Sequence, residues 1–486
     1  MKNIYFLFFA LCFTSLTNAK TYNHRTISDD TKGTSITNDK HSAAAYDVKI
    51  VSAAMDKFMI AGAQNYIKAT VQNVGTTYIS SVEFNWNDGT GDHKERVVTY
   101  LGVGQKREVF HPVPASYSDV TTKAISVSIT KINDIADENP ADNSIDIATS
   151  IVSQTAPKKV VIEEGTGTWC GWCTRGIVAL DALQQTYPDD QISIAVHGGS
   201  STEPMRLAAY DTFSSFPGMN VDRELKAVDI NTSTVLNYVS TRKNIISPAK
   251  LDGEFYVNNN QLTANINSQF FINKTNANYK FAVILVEDDV TGTTSGYGQR
   301  NYYAGGAYGE MGGFENMPAT IPASQMVYKH VGRALLGGYN GQDNSVPTTI
   351  TDGQTVSYTF SYTIPATQNQ DKLYAVLLLL DANDGIILNA TKLTKTTLAV
   401  NDVNRISANT KIYPNPAKSD FSIMLVKDGI YKITIFDMVG REVKNYGNVN
   451  SNATKITNLP INLMPGKYFV NIAQNGVSIT KELLVK

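Results

Sequence analysis

The sequence is short of three things, and each shortage narrows the reading. There is no excess of one charge: 42 Lys and Arg face 44 Asp and Glu, leaving nothing to draw the chain to a phosphate backbone. That balance argues against nucleic-acid binding. Cysteine is scarce: Cys12 lies in the N-terminal apolar run, so only Cys170 and Cys173 remain for the mature chain. A secreted fold stapled by disulfides spreads an even number of cysteines along its length, whereas this pair closes a ring of about four residues, good for roughly 2 kcal/mol. The placement is poor for stapling and suits redox chemistry. A zinc site is disfavoured as well, since four ligands are needed and no second Cys-x-x-Cys exists. Finally, long apolar runs are missing after the N-terminus, so no membrane-spanning helix is expected in the mature chain; the best stretch, 374–380, has the length of a buried strand.

What is present reads as extracellular and β-rich: charged residues are only 18% of the chain, and there are 25 tyrosines. Lys2, the apolar run from Ile4 to Leu16 and the small residue Ala19 form the pattern of a secretory signal peptide, expected over 1–19. Residues 20–45 lack apolar periodicity and read as a linker. Strict alternation then sets in, as in 67–75, with turn residues such as Asn87, Asp88 and Gly89 between short strands, which suggests a β-sandwich over 46–153. The acidic run Asp134, Asp137, Glu138 and Asp142 has no calcium-ligand spacing and reads as a solvated loop.

From residue 156 to 247 the rhythm changes to strand then helix, implying a parallel or mixed sheet: strands over 159–164, 191–197 and 219–223, and helices over 173–187, 203–213 and 232–245. Strands return over 248–397 as a second β-sandwich, interrupted by a Gly/Tyr-rich insertion at 292–313 that is longer than a sandwich requires and is read as functional or mobile. A linker over 398–410 leads to a last small β domain over 411–486. The fold class is thus multidomain and mostly β, with one α/β domain.

The segment Gly165-Thr166-Gly167-Thr168-Trp169-Cys170-Gly171-Trp172-Cys173 joins a strand to a helix. Backbone N–H groups and the dipole at a helix N-terminus favour a thiolate at Cys170, and the Cys173 thiol one turn on can hydrogen-bond it. His197 ends a strand of the same sheet and reads either as a neighbour of the dithiol or as a structural hydrogen-bonding residue.

The Trp-Cys-Gly-Trp-Cys stretch after a strand, with Pro217 before a later strand, resembles the thioredoxin fold. The resemblance implies that Cys170 is the exposed nucleophile and Cys173 the buried resolving thiol. It further implies that Glu164 is the buried acid six residues before the nucleophile, and that Pro217, after Phe216, is the cis-proline facing the disulfide. Two departures stand out: Trp172 replaces the usual Pro or His, and no last hairpin strand is evident after Arg223. The 46–153 region resembles the adhesion-type immunoglobulin-like modules of bacterial surface proteins. Residues 156–400 resemble the outer-membrane-protein-twenty-eight-related family of Bacteroidetes, regarded as cell-surface proteins with adhesion suggested. The motifs Ile412-Tyr413-Pro414-Asn415-Pro416-Ala417, 435–441, 463–470 and 481–486 resemble the type A sorting domain of type IX secretion.

The expectation is a secreted or surface-displayed protein that leaves through the periplasm to the cell surface or medium and engages the type IX machinery. Its dithiol module would exchange disulfides with extracytoplasmic proteins, without cofactor or metal. The alternative is a non-enzymatic surface adhesin in which the Cys-x-x-Cys is a structural or vestigial disulfide.

Overall fold

The computed structural model describes residues 44–396, 407, 409–452, 454–474 and 477–486. The expected signal peptide and most of the linkers expected at 20–45 and 398–410 lie outside the described residues. Most described elements are strands, as the alternating and β-branched patterns require.

The first unit is a two-sheet β-sandwich. One sheet orders Val48–Ala54, Lys68–Asn73 and Lys106–Phe110; the other runs Phe58–Ile60, Ser144–Val152, Thr122–Ile132, Ile79–Asn87 and Asp92–Leu101. Period-two burial, with Ala69, Val71 and Asn73 turned inward from one strand, builds the core between them. The acidic loop serves the backbone: Glu138 accepts from Ala45 N at 2.8 Å and Asp137 from Val48 N at 2.9 Å. The sandwich is not a free bead. Lys57 pairs with Asp381 and Asp384, both at 2.9 Å, and Phe58 and Val152 enter the core of the next unit.

That next unit is organised by one seven-stranded mixed sheet. Its elements are β1 (Val160–Thr166), α1 (Thr174–Thr186), β2 (Gln191–His197), β3 (Gly218–Val221), α2 (Thr232–Arg242), β4 (Tyr279–Glu287), β5 (Val331–Leu336), β6 (Leu373–Asp381) and β7 (Ile386–Lys392). The order is β3-β1-β2-β5-β4-β6-β7, with β1, β2 and β5 parallel and β3 antiparallel to β1. The sheet curls: Ile387 N donates to Asp222 O at 2.9 Å, and Asn389 bonds Lys159 N and Pro157 O, so β7 returns toward β1. Val161, Ile192, Ile194, Ala282, Ile284, Val376 and Leu378 fill the concave side. Helices α1 and α2 cover the other face of β1 to β3 through Ala179, Leu180, Leu183, Val235 and Val239.

Two expectations need correction here. The boundary expected at 247 does not separate two sheets, because β4 to β7 extend the sheet that carries the dithiol. The reason is visible in β4 and β6, whose near-continuous apolar runs are buried on both faces: one against the curled interior, the other against a second sheet of Ala249–Lys250, Gln261–Phe270, Gly253–Asn258, Thr394–Lys395 and Thr355–Thr363. The helix expected at 203–213 is only the single turn Ala208–Tyr210. Its sequence is committed elsewhere: Glu203 bonds the dithiol loop, and Phe213 fills the space beside Gly165 and Gly218.

The C-terminal unit is a separate small sandwich with its own core of Phe421, Ile423, Ile433, Ile435, Val470, Ile472 and Leu483. Three strands (Lys411–Tyr413, Asp420–Met424, Lys455–Pro460) face four (Glu442–Asn450, Ile430–Phe436, Gly466–Gln474, Val477–Val485).

Candidate functional site

Strand β1 delivers the dithiol. It is the buried strand between β2 and β3, and the chain leaves its C-terminal end through Gly167 to Cys173 into α1. Cys170 and Cys173 are joined as a disulfide, with Cα atoms 5.4 Å apart. Local backbone bonds shape the turn: Cys170 N donates to Gly167 O, Cys173 N to Cys170 O and Gly176 N to Cys173 O. The loop is fastened from three sides. Trp169 Nε1 donates to Gly198 O at 3.0 Å, and its ring meets Phe216 at 5.4 Å. Thr168 N and Oγ1 both donate to Glu203 Oε2, at 2.8 and 2.9 Å, while Glu203 Oε1 pairs with His197 Nδ1 at 3.0 Å. Burial alone would raise the Glu203 carboxyl; the bonds from His197 and Thr168 outweigh it and hold the group below its ordinary value. His197 thus acts on the loop at second hand, as a hydrogen-bonding residue. Sequence reasoning missed Glu203, which reads there only as the first residue of the helix expected at 203–213.

The Phe216–Pro217 peptide is cis. The next residue, Gly218, opens β3 and pairs with Gly165 of β1, so the turn carrying Pro217 borders the strand that leads to the dithiol.

Glu164 is wholly buried on β1. Loss of solvent drives its carboxyl up to about 8, against weaker opposing effects of the Thr166 hydrogen bond and the Arg175 charge. Among the described residues its Oε1 has no hydrogen-bond partner. A side chain on Gly176, one turn beyond Cys173, would place its Cβ 1.9 Å from that oxygen, so glycine there lets α1 settle onto the acid. Glu164, His197, Gln299 and His330 line a cavity of about 300 Å³ whose apolar wall includes Ile177, Leu180, Phe314 and Met326.

One expectation fails at the dithiol itself. Cys170, expected to be exposed, is only 4% accessible, and Cys173 is fully buried. The Gly/Tyr-rich insertion lies on the loop. Arg300 N donates to Thr168 O at 2.8 Å, Tyr302 N to Gly171 O at 2.9 Å, and Gln299 Nε2 to Cys170 O at 3.0 Å. Trp172 is flanked edge-on by the rings of Tyr302, Tyr303 and Tyr308, with centroids 4.8 to 5.4 Å away. With about 0.5–1.5 kcal/mol for each hydrogen bond or aromatic pair, these contacts sum to several kcal/mol before the cost of ordering the segment is counted.

Residues 411–486 match the secretion system C-terminal sorting domain family. The protein is therefore secreted through the type IX system to the cell surface or extracellular space, and the type IX machinery recognises it. Among solved structures, the chain is similar to HBP35 of Porphyromonas gingivalis, at 16% identity and a TM-score of 0.36, covering 68% of this chain and 99% of that one. It is also similar to the CARDB domain of a Pyrococcus furiosus protein in complex with di-metal ions, at 13% identity and a TM-score of 0.20, covering 23% of this chain and 97% of that one. A protein of Agrobacterium tumefaciens is similar at 13% identity with a TM-score of 0.29, covering 50% of this chain and 96% of that one. No curated protein matches the sequence. No helix among the described residues is long and apolar enough to cross a membrane, and none of their His, Cys, Asp and Glu side chains group in threes to hold a metal ion.

Proposed function

We propose that residues 156–247, together with the strands that extend their sheet, form a thioredoxin-like module that exchanges disulfides with polypeptides outside the cytoplasm. The observation that carries the reading is the disulfide at the N-terminus of α1, set beside a buried acid whose proton leaves near pH 8. In the reduced state the Cys170 thiolate attacks one sulfur of a client disulfide. The other client sulfur leaves as a thiolate and takes a proton. Cys173 then loses its proton, with ionised Glu164 as the acceptor, and attacks Cys170 Sγ; the client leaves reduced and the Cys170–Cys173 bond re-forms.

The test is alkylation of the reduced protein. Cys170 should react much faster than Cys173, with a rate midpoint below the free-thiol value of about 8.5, and Cys173→Ser should accumulate mixed disulfides. Slow, equal alkylation with no trapped adduct would refute the exchange reading. The burial of Cys170 favours the second reading, a closed structural disulfide in a surface adhesin, and that same result would support it. The sorting domain, having its own core, should be separable: removing 411–486 should leave the remainder folded but retained in the periplasm, as cell fractionation would reveal.

A further inference from the structure

We propose that the outer face of the Thr168–Trp172 loop is a docking strip for an extended polypeptide segment, and that residues 299–303 of the chain occupy it in the resting protein. The inference rests on the exchange reading for its purpose. Its observations are separate.

The resident segment meets the loop through its backbone. Alternate backbone N–H groups, those of Arg300 and Tyr302, donate to the carbonyls of Thr168 and Gly171. Such bonds are available to any extended chain and supply affinity without sequence preference. Selectivity comes from one side-chain position. The Tyr302 ring occupies the space where a Cβ on Gly171 would come within 2.5 Å, and it contacts the edge of Trp172. An aromatic side chain is therefore what the strip takes. Beside it, Trp169, Arg300 and Tyr302 line an open cleft of about 470 Å³, and Trp169 and Tyr302 are 41% and 42% exposed, which leaves a route for an incoming chain.

The segment yields at Tyr302, which is 42% exposed, while Gln299, Asn301 and Tyr303 stay buried. Its neck is closed by the Val290–Tyr328 backbone pair, which anchors the base away from the dithiol. Past Tyr303, the glycines Gly305, Gly306, Gly309 and Gly313 have positive φ, and a Cβ on any of them would touch nothing within 4 Å. A client segment with an aromatic residue can take the place of Tyr302 on the strip.

The experiment uses the oxidised full-length protein and dithiothreitol. One reagent thiolate attacks Cys170 Sγ, Cys173 departs as a thiolate and is protonated, and the second reagent thiol closes the reagent's ring and frees Cys170, two electrons passing to the protein. Tyr302→Ala removes the plug; Gly171→Ala independently pushes the ring off the strip. Both variants should be reduced at least about tenfold faster than the parent, equivalent to about 1.4 kcal/mol. Excess synthetic peptide with the sequence of residues 298–304 should slow reduction of Tyr302→Ala, and a peptide with alanine at both adjacent tyrosines should not. Equal rates in the parent and both variants would overturn the proposal, and so would faster reduction on which neither peptide acts. Reduction and peptide protection as expected support the strip even if Cys173→Ser traps no client, in which case it is the exchange reading that fails.

Discussion

Glu163 and Glu164 are neighbours on one buried strand, yet they meet opposite environments. The Glu163 side chain enters the curled side of the sheet, where Arg223 Nε donates to it at 2.8 Å and the Tyr210 hydroxyl donates to the same oxygen. Glu164 turns to the helix-covered face and meets the glycine of α1, and among the described residues no cation is bonded to it; Arg175 acts on it only through its charge. Alternation along a strand sends consecutive residues to opposite faces, so two identical side chains become a compensated ion pair and an isolated acid. The same burial thus leaves one carboxylate with a cation and turns the other toward a helix backbone.

The comparison can be broken most severely on the Glu163 side. Arg223→Met strands a buried carboxylate, and calorimetric unfolding should show a loss of about 3–5 kcal/mol; a change below 1 kcal/mol would mean that the pair is not the compensated one. Next in size is the pH dependence owed to Glu164. Its folded value of about 8 lies above the ordinary 4.5, so between those values the folded chain holds a proton that the unfolded chain has released. The stability it contributes is complete below about pH 4.5 and is lost as pH rises through 8, at up to about 1.4 kcal/mol per unit. Denaturant midpoints of the parent and Glu164→Gln should therefore diverge steadily from pH 5 to 8, and parallel curves would contradict the isolated-acid assignment.

Gly176→Ala should cost about 1–3 kcal/mol by driving a methyl group into Glu164. Combining it with Glu164→Ala should cost less than the two separate losses added, by 0.5 kcal/mol or more on typical coupling values of about 0.5–3 kcal/mol. Strict additivity would show that the two residues do not touch. The smallest effect belongs to Tyr210→Phe, which removes one hydrogen bond to Glu163 while keeping the Arg223 pair. About 1–3 kcal/mol is expected for a bond to a charged group, toward the lower end because Arg223 remains.

Local readings survived where the determinant was local. The turn from β1 into α1, the helix expected at 173–187 and seen at Thr174–Thr186, and the hairpin turn at Asn87 to Gly89 depend on residues close in sequence. The acid at Glu164 was reached through family resemblance, but the sequence offered no sign that its neighbour would find a cation 60 residues away. Nor did Val331–Leu336 stand out as a strand, since a short run with Gly332 and Arg333 inside it and two glycines after it shows no clear period; it is a strand because β2 and β4 hold it on both sides.

By itself the sequence determined the composition, the single close cysteine pair and the sorting motifs at the C-terminal end, because each is written in contiguous residues. Only the tertiary structure decided which surface the cysteines face. Gln299 lies 129 residues beyond Cys170, and its contact exists because β4 and β5 join the dithiol's own sheet and carry the intervening insertion back over it. A spacing of two residues can specify a disulfide; whether water reaches its sulfur atoms depends on chain that returns from far along the sequence, driven by the burial of both faces of β4 and β6.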